Sequence, residues 1–284
     1  MVRKSIVLTA LLPGAIEDSD AFEQGVAAFR EEGYSVVEFF SPFEMASKRG
    51  EILKKYGMSS VYLAALYQKR KGLSLCAVSE EERQYALTES RRCIDAAKEA
   101  GAEAVLITSG LYPGSDNEKA AWKALENSIE ELCAYAGTLR ILLEPGDRTV
   151  DAKQLAGPTA DVVKMAERVL LRHSNFGLVM DLSHIAQLGE DPETALKLAK
   201  PYCNHVHLAN CILVSGHALY GDKHPLFAEK DASYTLDKIK LFARFLFAGY
   251  AKDLTVSIEI IFHGTDQTDY MQQVIEEETW FSQM

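Results

Sequence analysis

The stretch Cys203-Asn204-His205-Val206-His207-Leu208-Ala209-Asn210 decides how the chain is read. Its alternation of polar and apolar residues predicts a strand, and successive strand side chains point to opposite faces. His205 and His207 therefore share a face. Two imidazoles on one face of a short apolar strand suit a metal or catalytic site. The plainer alternative is hydrogen bonding at a strand end.

Three further apolar runs end in an acid. Arg140-Ile141-Leu142-Leu143-Glu144 precedes Pro145, and Phe176-Gly177-Leu178-Val179-Met180-Asp181 precedes Leu182-Ser183-His184. Leu254-Thr255-Val256-Ser257-Ile258-Glu259 is the last. One carboxylate where a strand emerges into solvent is common. Four consecutive strands ending in Glu, Asp, His and Glu call for a shared explanation.

Working outward, the chain alternates short apolar runs with longer amphipathic ones. Strands are expected at Ser5 to Ala10, Ser35 to Phe40, Ser59 to Leu66 and Ala104 to Thr108. A helix from Ser19 to Glu32 follows the first, and a second ends near Gly57. The third helix opens on Ser79 and Glu82, the spacing of a capping box. Gly33, Gly57, Gly101 and Gly137 each stand between a helix and the next strand. Later helices are expected at Thr159 to Arg172, Pro192 to Lys200, Leu236 to Phe247 and Gln267 to Phe281. Eight strand–helix units predict an α/β fold, a (β/α)8 TIM barrel forming a single domain over residues 1–284. A doubly wound sheet would want a Gly-rich phosphate loop after strand one, and none is present. Lys69-Arg70-Lys71-Gly72 reads as a basic loop. The connection from Cys211 to Tyr234 is long enough to read as a lid, because unstructured loops beyond ~15 residues are uncommon in compact domains.

The 30 basic and 41 acidic residues give a formal charge of −11. Such a surface repels phosphate backbones, so no nucleic-acid partner is expected. The five cysteines contain no Cys-x-x-Cys pair, which suggests free thiols in a reducing, cytoplasmic setting. The apolar run after Met1-Val2-Arg3-Lys4 ends at Pro13-Gly14 without a small-residue cleavage site, so it reads as the first strand rather than a leader. No run approaches the ~18 apolar residues of a membrane helix. A homo-oligomer is compatible with this composition.

In a (β/α)8 barrel the C-terminal strand ends converge on one face. Glu144, Asp181, His207 and Glu259 would then point into one mouth. Three converging carboxylates repel one another and raise their pKa values unless something compensates. A divalent cation does so, and one nitrogen with several oxygens suits Mn²⁺ first, with Mg²⁺, Co²⁺ or Zn²⁺ as alternatives. Each residue also has a plainer role. Glu144 and Glu259 could be solvated strand ends, Asp181 a helix cap, and His205 support for its neighbour. Asp222 and His224 could form an exposed turn beside Pro225. Glu38 is an acid inside the apolar run Val36-Val37-Glu38-Phe39 and is expected to touch the site.

The words Leu143-Glu144-Pro145, Asp181-Leu182-Ser183-His184, His205-Val206-His207 and Ile258-Glu259 resemble the xylose-isomerase-like superfamily. Among its branches the chain is most similar to the sugar (phosphate) isomerases and epimerases, which include ketose 3-epimerases and inosose dehydratases. The resemblance implies a metal quartet of Glu144, Asp181, His207 and Glu259 and a small sugar or polyol substrate. It places His184 on substrate hydroxyls and Arg148 in a Glu-Pro-x-x-Arg word. Glu144 and Glu259 would be the proton-transfer pair, with Glu38, His205, Asp222 and His224 nearby on the substrate side. Two matches to the ketose 3-epimerases fail, at Val150 and Leu213, where those enzymes carry Glu and Arg. The superfamily also contains type IV apurinic-site endonucleases, and Asp222-Lys223-His224 resembles their Asp-x-His metal word. Their additional histidines on strands three and four have no counterpart here. A metal-dependent phosphodiester hydrolase and a non-catalytic polyol-binding barrel are the two alternatives to an isomerase.

Overall fold

The computed structural model describes residues 2–284, and Met1 lies outside the described residues. Eight strands, β1 (Arg3–Val7), β2 (Val36–Phe39), β3 (Ser59–Leu63), β4 (Ala104–Ile107), β5 (Arg140–Leu143), β6 (Phe176–Asp181), β7 (Cys203–Leu208) and β8 (Thr255–Ile258), form a closed barrel in chain order. Every neighbouring pair is parallel, including β8 with β1. All C-terminal strand ends therefore open on one face. This is the (β/α)8 TIM barrel that the alternating pattern predicts.

The principal helices are α1 (Ser19–Glu31), α2 (Ala46–Lys55), α3 (Glu80–Glu99), α4 (Glu118–Ala136), α5 (Thr159–Leu170), α6 (Pro192–Ala199), α7 (Leu236–Phe247) and α8 (Gln267–Glu277). Helix α1 illustrates their construction. Asp18 Oδ1 accepts from the N–H groups of Asp20 and Ala21 at 2.8 and 3.4 Å, a cap worth ~1 kcal/mol. Phe22, Val26 and Phe29 then recur on one face and are wholly buried. At the start of α3, Ser79 Oγ accepts from Glu82 N–H. Gly33 and Gly101 adopt φ of 82° and 69°, the left-handed geometry that ends a helix without a Cβ clash. Among the described residues no helix is long and apolar enough to cross a membrane. All five cysteines are free and buried.

Four boundaries differ from the sequence expectation. Strands β1 and β3 stop at Val7 and Leu63, and short helices, Leu8–Leu11 and Ala64–Lys71, begin at the next residue. Leu8, Leu11 and Ala64 are as buried as the strands, so no change of polarity marks either junction. Lys69-Arg70-Lys71 is consequently the last turn of a helix, where cations meet its exposed carbonyls, and Gly72 closes it at φ 62°. A further short helix, Leu182–Gln187, starts directly after Asp181. The last predicted helix breaks at Glu278 into α8 and a turn at Thr279–Ser282.

One irregularity in the barrel positions the site. The β6–β7 register runs Leu178 to Cys203 and then Val179 to His205, so Asn204 is an extra residue in β7. Beyond this bulge Asp181 pairs with His207. Bulges commonly re-aim side chains in this way beside functional sites.

Candidate metal centre and substrate cavity

Glu144 follows β5, Asp181 ends β6, His207 lies in β7 and Glu259 follows β8. One donor atom from each lies within 4.8 Å of the others. His207 Nδ1 is 2.7 Å from Glu259 Oε2, 3.0 Å from Glu144 Oε1 and 3.8 Å from Asp181 Oδ2. All four atoms are buried and none has a hydrogen-bond partner. A buried polar atom left unpaired costs ~1–3 kcal/mol, and four such atoms facing one point could hold a cation. Three carboxylates and one imidazole therefore fit the divalent ion that the donor chemistry suggests.

Asp181 combines two roles. Its Oδ1 accepts from Ser183 and His184 N–H at 2.5 and 3.1 Å, capping the short helix Leu182–Gln187. Its Oδ2 remains for the cluster. Burial pushes this carboxyl above its ordinary range, with Glu259 and Glu144 adding to the effect against His224 and His184. Glu259 is also penalised by burial, yet His224 and His207 hold it below the usual carboxylate range.

Beneath the quartet, Glu38 is wholly buried. Its Oε2 lies 3.1 Å from His207 Nε2, and its Oε1 lies 2.8 Å from His205 Nε2. Ser5 and Ser257 both donate to Oε1. Burial opposes the Glu38 charge, but the two histidines hold its pKa well below normal. An ionised carboxylate only accepts, so His207 Nε2 carries a hydrogen and Nδ1 faces the quartet. Burial likewise opposes a charge on His207, and Glu38, Glu259 and Glu144 together raise its pKa well above the ordinary value.

A second cluster joins His184, Asp222 and His224. Asp222 Oδ1 is 2.8 Å from His224 Nε2 and 3.8 Å from His184 Nε2. His224 Nδ1 faces Glu259 Oε1 at 3.5 Å, which links the clusters. Burial disfavours all three charges; the two histidines nevertheless hold Asp222 well below normal, Asp222 raises His184, and Glu259 followed by Asp222 raises His224 well above normal. His224 adopts φ 37°, a left-handed conformation that costs a non-glycine residue ~1–3 kcal/mol. Asp222 and His224 arrive on the loop 211–234, whose ends Asn210 clamps by bonds to Tyr234 O and Tyr234 N–H at 2.7 and 3.1 Å.

These groups border a cavity of about 660 Å³ at the barrel mouth, lined by Glu144, His184, His207, Asp222, His224 and Glu259. Asp181, Glu38 and His205 lie behind its wall. Arg148 is not on the wall either: its guanidinium bonds Glu118 Oε1 at 3.0 Å and Leu155 O at 2.8 Å and covers the Tyr112 ring. Lys69 is on the wall although nothing in the sequence singled it out, and its Nζ lies 3.3 Å from Asp222 Oδ2. Its only sequence signal was the basic run Lys69-Arg70-Lys71, which reads as a loop. Asp151 and Gln154 also line the cavity, and Asp151 Oδ2 accepts from Asp222 N–H and Lys223 Nζ, both at 3.1 Å. A shallow groove lined by Trp122, Glu126 and Arg168 contains none of these groups.

A closed (β/α)8 barrel with carboxylates and a histidine at its mouth defines a class of barrel. The profile of the xylose isomerase-like TIM barrel family matches residues 26–278, and the chain belongs to that family. No curated protein sequence matches it. Solved structures share the fold at low identity. D-psicose 3-epimerase from Clostridium cellulolyticum H10, solved with D-tagatose, gives a TM-score of 0.70 at 14% identity over 99% of this chain and 98% of that one. The IOLI protein with a zinc atom gives 0.74 at 14% over 99% and 98%. An AP endonuclease, family 2, from Brucella melitensis gives 0.69 at 16% over 99% and 98%.

Proposed function

We propose that the protein is a metal-dependent isomerase or epimerase acting on a sugar or sugar phosphate by proton transfer at carbon. The observation that carries this reading is the approach of Glu144 and Glu259 to one imidazole nitrogen, at 3.0 and 2.7 Å, on the wall of the cavity. They follow β5 and β8 and so can reach a bound sugar from different sides. Glu144, Asp181, His207 and Glu259 would hold the ion. When bound, a divalent cation polarises a carbonyl and acidifies the adjacent C–H. One glutamate would take the proton from carbon and the other, protonated, would deliver its own, assistance typically worth ~10²–10⁴ in rate. His184 and His224 orient substrate hydroxyls, and Glu38 keeps His207 Nδ1 turned to the quartet. The D-psicose 3-epimerase on the same fold supports this class of chemistry. The test is metal analysis followed by a sugar panel in D₂O with Mn²⁺, Co²⁺ or Zn²⁺. Deuterium entering a substrate carbon supports the reading, and a protein that takes up no metal rules it out.

The triad His184–Asp222–His224 favours a second reading, metal-dependent phosphodiester hydrolysis, as does the AP endonuclease on the same fold. Lys69 beside Asp222 and a formal charge of −11 weigh against it. Nicking of abasic-site DNA with Zn²⁺ present would favour the hydrolase.

A further inference from the structure

Arg49, on α2, is wholly buried and belongs to neither ionisable cluster at the barrel mouth. Its Nη2 donates to Ala15 O and Ile16 O, both at 3.0 Å, and its guanidinium covers the Phe22 ring at 4.6 Å. Nε and Nη1 are buried without a hydrogen-bond partner. Its partners among the described residues are thus carbonyls and a ring, with no carboxylate in an ion pair. Burial disfavours its charge, and Asp18 and Glu17 offset this only in part. Such a group adds little to folding, because an unpaired charge is costly to bury and an apolar side chain of similar volume often serves stability as well or better. Its presence calls for a different explanation.

What Arg49 holds is one edge of the cavity. Ala15 and Ile16 end the 3₁₀ turn Pro13–Ile16 beyond β1, and Pro13 and Ile16 line the cavity together with Ala10. In the closed barrel β1 adjoins β8, which delivers Glu259, and lies opposite β5, which delivers Glu144. The turn is tied at two points. Gly14 N–H donates to Gln267 Oε1 at 2.8 Å, at the start of α8, and a Cβ on Gly14 would come within 3.0 Å of that oxygen. Arg49 holds the other end. Within the turn, Ala15 N–H donates to Leu12 O at 3.0 Å, and Glu17 and Asp18 N–H donate to Gly14 O at 3.2 and 3.0 Å. So short a turn has few bonds of its own, and its resting place depends on these outside ties.

We infer that Arg49 is a positioning residue, reaching from α2 to fix the turn Pro13–Ile16 and with it the β1 edge of the cavity. It does so without contributing to overall stability. Loosening the turn would oblige a substrate to order it on binding, which lowers affinity. The metal ligands stand on β5 to β8 and would keep their places. This kinetic consequence rests on the isomerase or epimerase reading; the placement of the turn does not.

The test compares the full chain with its Arg49→Met and Arg49→Lys variants. Amide hydrogen exchange is read over residues 8–18, where the N–H groups of Ala15, Glu17 and Asp18 report on the turn. It should quicken ~10-fold or more in Arg49→Met, with the barrel strands unchanged and Tm equal to or above that of the wild type. Arg49→Lys keeps the charge and a donor and should recover part of the protection. For any sugar that takes up deuterium at carbon, KM should rise severalfold in Arg49→Met, with kcat and Mn²⁺ affinity within about twofold of wild type. Unchanged exchange over residues 8–18 would overturn the inference, as would a loosened turn with unchanged KM. A fall of several degrees in Tm with faster exchange throughout the barrel would also overturn it, because Arg49 would then serve folding alone. If no sugar takes up deuterium, the isomerase reading fails, and the amide measurement still decides whether Arg49 sets the cavity edge.

Discussion

Glu38 Oε2 lies 3.1 Å from His207 Nε2, on the opposite side of the imidazole from the carboxylate cluster. The contact joins the barrel interior to its mouth, because Glu38 also meets His205, Ser5 and Ser257. Glu38→Gln should weaken divalent-metal affinity by ~10–100-fold, the usual effect of removing a partner that orients a ligand. Competition against a chromophoric chelator measures it, with circular dichroism checking the fold. Unchanged affinity in a folded variant would mean that the quartet alone orients His207.

The two clusters differ in charge, and this sets the expected stoichiometry. The quartet brings three carboxylates to one histidine, whereas the triad brings one carboxylate to two histidines with Lys69 beside it. One tightly bound ion is expected, at the quartet. Asp222→Asn should leave that equivalent in place and raise KM, while Asp181→Asn should abolish it with little effect on folding. Two equivalents by equilibrium dialysis, falling to one in Asp222→Asn, would favour the hydrolase.

The loop 211–234 carries Asp222 and His224 into the cavity, is pinned at its ends by Asn210 and is tied to Asp151 and Lys69 near Asp222. Its centre, residues 214–219, makes none of these ties. Shortening that centre should impair turnover or substrate affinity far more than Tm. Equal kinetics after shortening would mark the segment as a connection only.

Glu278 gives a pH dependence independent of the site. Burial pushes its carboxyl from 4.5 up to about 7, Glu277 adds to the rise, and Trp280 Nε1 and Lys240 oppose it. A raised folded-state pKa means the folded protein holds the proton more tightly than the unfolded chain. The contribution is therefore fully present below about pH 4.5 and lost as pH rises through about 7. Glu278→Gln should be more stable than wild type at pH 8, by on the order of 3 kcal/mol, with the difference vanishing near pH 4. Urea denaturation at the two pH values measures it; equal stabilities at pH 8 would contradict it.

The barrel was legible because its strands are short apolar runs punctuated by glycines, and the acids of β5, β6 and β8 stand where polarity changes. The ends of β1 and β3 were not, since Leu8 and Ala64 continue the buried run into a helix. Glu38 was visible as an acid within a strand, but its partner His205 is 167 residues away and only barrel closure brings them together. The triad was half legible: His184 follows Asp181 by three residues, whereas Asp222 and His224 lie in a loop without periodicity. Lys69 looked like one of several surface bases because its side chain alone says nothing of Asp222. Arg148 matched a sequence word, yet Glu118 and Leu155 O occupy its guanidinium.

The proposed function rests on Glu144 and Glu259 moving a proton at a substrate carbon. Deuterium uptake from D₂O, compared between wild type and the Glu144→Gln and Glu259→Gln variants loaded with metal, tests it most directly. Exchange is expected in the wild type, with a fall of ~10²–10⁴ in each variant that exceeds the loss of metal affinity, because Gln keeps an oxygen donor but is no base. Wild-type turnover without deuterium at carbon, or exchange at full rate in both variants, would contradict it.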